Sequence, residues 1–144
     1  MDRIAFRIAS VLTAIFAVLH TIGFLAFMPD EPAARQVRAA MDTTVFAVDG
    51  ARLSFGGFYV GFCIFVTAAL LVAAVLTWWL AHVAREAPRF VLVPASALAA
   101  FQLASLVLAV RFFPAPPAIF SALILLCLLF AIWATSRRLG SNQP

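Results

Sequence analysis

Residues 53–80, LSFGGFYVGFCIFVTAALLVAAVLTWWL, are 28 consecutive residues without a charged side chain. A run of 18 or more apolar residues marks a transmembrane helix, and about 20 suffice to cross the hydrocarbon core. This segment therefore places the chain in a bilayer. Its opening, GGFYVGF, carries glycines and a tyrosine where the remainder is aliphatic, so whatever is distinctive about the protein is expected at that end.

Three further runs have the same character: residues 8–28, 90–110 and 118–135. Charged residues make up 11% of the chain against about 25% in soluble domains, which leaves almost nothing outside the spans. The runs are continuous, whereas barrel strands alternate in segments of about ten residues. The expected architecture is all-α: an integral membrane four-helix bundle forming one transmembrane domain over residues 1–144. The first run, about 21 residues ending in FLAFMP, exceeds the 7–15 residues of a signal-peptide core and is read as a retained helix. Pro94 falls in the first turns of the third span, where a missing amide donor is tolerated. The turn at 111–117, RFFPAPP, is short enough to make the third and fourth helices antiparallel neighbours.

Between the first two spans lies the one long polar segment. PDEP offers a helix start, and Val37, Met41, Val45 and Val48 recur at helical spacing, with Arg35, Arg38, Asp42 and Asp49 on a different face. This predicts a short extracytoplasmic amphipathic helix over about 33–48, too short to span and suited to the membrane surface. Residues 82–89 are expected to turn the chain around, and 136–144 to form a polar tail.

The net charge of +4 comes from ten arginines and no lysines, scattered at span ends. No basic stripe interleaved with aromatics exists, so no nucleic-acid partner is indicated. Arg3, Arg7, Arg85, Arg89, Arg137 and Arg138 fall on one side, and Arg35, Arg38, Arg52 and Arg111 on the other. The positive-inside rule then makes both termini cytoplasmic. Cys63 and Cys127 lie within apolar runs as small buried hydrophobes, with no disulfide or zinc spacing.

Polar side chains within hydrocarbon are costly and turn toward the bundle interior. Counting 1.5 Å per residue from the outer ends puts His20, Tyr59, Gln102 and Ser105 in one layer roughly 9–14 Å deep. Arg52 and Arg111 stand at its mouth, and Gly57 and Gly61 form a small-xxx-small pair for helix packing. An outward-opening crevice walled by apolar residues suits a lipophilic ligand such as a lipid or quinone. Two other readings share the layer: hydrogen bonds that merely hold helices together, and a membrane enzyme on a lipophilic substrate with His20 as acid or base. No span contains Asp or Glu, no metal-ligand cluster or resident cofactor is evident, and enzyme activity is the less favoured reading.

At HTIGF in the first helix and GGFYVGF in the second, with four short spans and almost no soluble part, the chain resembles the small bacterial membrane proteins grouped as DoxX-like. The resemblance implies an inner-membrane location and, for some members, a role as accessory subunit of a quinone-linked redox complex. Besides the bilayer itself, the Gly57 and Gly61 face is open to a membrane-protein partner or a homo-oligomer.

Overall fold

The computed structural model describes residues 1–141. It contains α1 (Asp2–Ala26), α2 (Pro32–Thr43), the strands β1 (Val45–Val48) and β2 (Ala51–Ser54), α3 (Phe55–Glu86), a 3₁₀ turn (Pro88–Phe90), α4 (Leu92–Phe112) and α5 (Ala115–Ser141). Four of these segments are long and apolar enough to cross a membrane, as the four apolar runs require. The described residues divide into two compact units, 1–16 with 70–141, and 17–69.

The first unit packs the start of α1, the end of α3, α4 and α5 around small side chains. Ala5, Ala9, Ala81, Ala84, Ala95, Ala99 and Ala131 are buried together with Phe6, Leu80, Val91, Ile124 and Leu128. Alanine at the contact lets helix backbones approach closely, which is how helices associate where lipid offers no hydrophobic gain. Arg3 Nε donates to the Ala81 carbonyl at 3.3 Å and Ser10 Oγ to that of Ala74 at 2.7 Å, so here α1 and α3 run antiparallel. Phe16 stacks on Phe120 with ring centroids 5.5 Å apart. The α4–α5 turn shrinks to Phe113 and Pro114, since α5 takes up Pro116 and Pro117 in its first turn, where proline costs no hydrogen bond. Pro94 likewise sits in the first turn of α4.

Helix ends differ from the apolar runs. α3 continues past Trp79 to Glu86 in place of the expected turn at 82–89, because Leu80, Ala81 and Ala84 are core residues. α1 starts at Asp2, and the expected polar tail is helical through Ser141, while residues 142–144 lie outside the described residues. Arginines make these extensions favourable by lying on aromatic faces: Arg7 over Trp78 at 5.4 Å and Arg137 over Trp133 at 4.4 Å.

The second unit corrects the reading of residues 33–48. A helix forms there, but it ends at Thr43, and residues 45–54 are an antiparallel hairpin with Val48 paired to Ala51. The turn is Asp49-Gly50, both with positive φ (47° and 82°), the conformation a two-residue type I′ turn demands. Gly50→Ala should therefore cost about 1 kcal/mol. Gly61→Ala, where an added methyl meets nothing within 4 Å, should be neutral or stabilise by up to about 1 kcal/mol in a helix interior. Unfolding midpoints of the two variants in the same detergent check the contrast.

Candidate functional site

Within residues 17–69 the polar side chains of α1 and α3 meet at one node. His20 Nδ1 lies 3.1 Å from Thr67 Oγ1, and Thr21 Oγ1 lies 3.0 Å from the same oxygen. Each threonine hydroxyl also reaches a carbonyl of its own helix, Thr21 to Ala17 at 2.8 Å and Thr67 to Cys63 at 3.2 Å. The direction of the His20–Thr67 bond follows the tautomer of the ring. The ring also packs against Phe24, centroids 5.4 Å apart. His20 is thus an interhelical link between α1 and α3.

This pairing revises the expected layer. Thr67 and Tyr59 are eight residues apart on α3, about 12 Å of helix rise. His20 is level with Thr67, and Tyr59 stands some two turns nearer the hairpin. Counting each helix from its own end assumed a common starting level, but His20 is six residues from the end of α1 and its partner Thr67 twelve from the start of α3.

At the hairpin end, Ser54 Oγ accepts from the Gly57 amide at 3.0 Å, an N-cap for α3. Gly57 is therefore part of the start of α3. Asp42 of α2 sets its carboxylate against Gly56, so closely that a Cβ there would overlap it, and its negative charge suits the positive end of the α3 dipole. Arg38 Nε stands 3.9 Å from Asp42 Oδ2, and its guanidinium lies over the Tyr59 ring at 5.5 Å. Phe46 of β1 packs on Phe55 and Phe58, at 4.6 and 5.9 Å between centroids. Tyr59 is thus tied to α2. Arg52, on β2, is exposed.

In the other unit, Gln102 sits on the buried α4 stripe with Ala95, Ala99 and Ala109. Its side chain is 2% exposed and its Nε2 has no hydrogen-bond partner among the described residues. Ser121, on the buried stripe of α5, is 1% exposed and its Oγ is likewise unpartnered. Ser105 spends its hydroxyl on the Phe101 carbonyl at 2.9 Å, and Arg111 is exposed at the end of α4. Asp2, absent from the expected site, is 2% exposed and accepts from Arg138 Nη1 at 2.6 Å, joining residues 136 apart in sequence.

Of the residues expected in one layer, His20 and Tyr59 belong to one unit, Gln102 and Ser105 to the other. Among the described residues no group of three or more His, Cys, Asp and Glu side chains is placed to hold a metal ion, and Cys63 and Cys127 are free thiols. Asp2 was the residue that the sequence reading of the site passed over. A doublet of arginines near one end and an aspartate near the other was the available signal for the ion pair.

No family model, no curated protein and no solved structure matches the chain.

Proposed function

We propose that the protein is a small multi-pass membrane protein, of the accessory or ligand-binding kind, that holds a lipophilic molecule through a hydrogen bond from the Gln102 amide. The observation that carries this reading is the buried Gln102 Nε2 without a partner. Leaving such a donor unmade in an apolar interior costs about 1–3 kcal/mol, and buried polar groups are rarely left so. A lipid ester or quinone carbonyl supplies the missing acceptor, and an apolar body matches the alanine stripe on which Gln102 sits. The Ser121 hydroxyl is a second donor on the neighbouring helix.

Insertion in a bilayer is supported by the outward surface. Only 22–28% of each candidate span is buried within the chain, and Phe65, Val75, Val93 and Val110 are each at least 68% exposed. An aqueous surface of that kind would aggregate, whereas lipid covers it at no cost. Four spans put both ends on one side, and the arginine distribution makes that side the cytoplasm. Gln102, ten residues before the end of α4, and Ser121, six after the start of α5, then lie in the outward half, within about 15 Å of the turn.

Purification in mild detergent, followed by native mass spectrometry and absorbance, tests the ligand. A retained lipid or chromophore of constant mass is expected, and its absence across several preparations contradicts the proposal. For orientation, a membrane-impermeant thiol reagent should label an engineered cysteine at Thr43 and spare one at Ser141 in intact cells. The reverse pattern overturns the topology.

A further inference from the structure

We infer that the groove between the start of α1 and the middle of α5 holds an acyl chain of an anionic glycerophospholipid, with the lipid phosphate on Arg137. The inference rests on the membrane reading above but not on the Gln102 ligand, and concerns the opposite end of the α5 helix from Ser121.

The groove has a volume of about 350 Å³ and is lined by residues including Ile4, Ala5 and Ile8 of α1 and Leu126, Cys127 and Phe130 of α5. That volume lies at the small end of ligand pockets, roughly 300–1,000 Å³. Its walls provide almost no hydrogen-bonding group, so its occupant there is hydrocarbon. On α5 the positions 126, 130, 133 and 137 fall within about 60° of one another at 100° per residue, a single stripe along the helix. The aromatic wall is continuous: Phe130 and Trp133 have centroids 5.6 Å apart, and the Arg137 guanidinium lies 4.4 Å over the Trp133 ring. The apolar groove therefore leads to a cation, about 10 Å of helix rise beyond Phe130.

Charge selects the headgroup. Arg138 is committed to Asp2, whereas Arg137 is exposed and no carboxylate pairs with it among the described residues. Arg3, Arg7, Arg85 and Arg89 lie at the same end of this unit, against Asp2 and Glu86. A phosphate with no compensating ammonium is the complement of such an end, and an exposed guanidinium binds it with two parallel hydrogen bonds.

The full-length protein, purified and exchanged into equal amounts of phosphatidylglycerol and phosphatidylcholine with identical chains, gives the test by native mass spectrometry. Wild type should retain phosphatidylglycerol preferentially. Arg137→Gln should lower that preference about fivefold, the effect of one arginine near an anionic surface. Arg85→Gln removes the same charge away from the groove and should change it less than twofold. Cys127→Phe, filling the groove, should reduce retention of both lipids. If that variant does not fold, quenching of tryptophan fluorescence by brominated-chain phosphatidylglycerol in wild type and Arg137→Gln reads the same site, with weaker quenching expected in the variant. Equal retention of the two lipids by wild type, equal losses with Arg85→Gln and Arg137→Gln, or a lipid-free dimer burying the groove would each overturn the inference. The ratio of the two added lipids reads only the Arg137 end of α5, so the two ligand readings fail separately.

Discussion

Gln102→Met raises the stability of the ligand-free protein by roughly 1–3 kcal/mol, an unusual direction for a substitution at a fully buried position. Methionine keeps the length and unbranched shape of glutamine, so the alanine-lined stripe on α4 is not left with a cavity. What it removes is an amide whose Nε2 finds no acceptor. The desolvation cost of that group then disappears while its packing stays. Unfolding midpoints of delipidated wild type and variant in one detergent measure the effect. A loss of 1 kcal/mol or more would mean that the amide is hydrogen-bonded within the chain, and the ligand proposal would lose its footing.

Arg138→Met should destabilise the protein by about 2–3 kcal/mol. Removing one partner of a buried ion pair costs about 3–5 kcal/mol because the remaining charge is left uncompensated. Here the Asp2 side chain is 3% exposed but Arg138 is 49% exposed, so water reaches part of the pair and the lower figure is appropriate. The N-terminal ammonium, 3.4 Å from the other Asp2 oxygen, offsets part of the loss. Adding Asp2→Asn to Arg138→Met should restore at least half of the stability, since an amide tolerates the site without a counter-charge. A double variant as unstable as the single one would show that Arg138 acts through packing alone.

The four helices were legible because each is a long apolar run, a signal that length alone separates from buried strands. Their ends were not, because hydropathy falls at the first arginine while the backbone continues: Arg7, Arg85 and Arg137 all sit inside helices, two of them over tryptophan rings. The hairpin escaped because VFAV and ARLS are too short for a period of two to stand out from one helical turn. Asp49-Gly50 was the local evidence, and its turn chemistry outranks the valine spacing that suggested a helix. At the candidate site, the polar residues could be named from sequence, but their levels could not. Depth depends on how the helix ends are offset from one another, and the bond from His20 to Thr67 fixes an offset that counting each helix from its own end could not give. Whether a buried donor is satisfied is a tertiary property, so nothing in the sequence distinguished Gln102, which lacks an acceptor, from Ser105, which has one on its own helix.

The central claim, a lipophilic molecule held by the Gln102 amide, is tested most directly by native mass spectra of wild type and Gln102→Met purified side by side. The account predicts an adduct of constant mass on wild type and at least a tenfold lower occupancy on the folded variant, about 1.4 kcal/mol of binding. Equal occupancy on both proteins, or none on either, would contradict it.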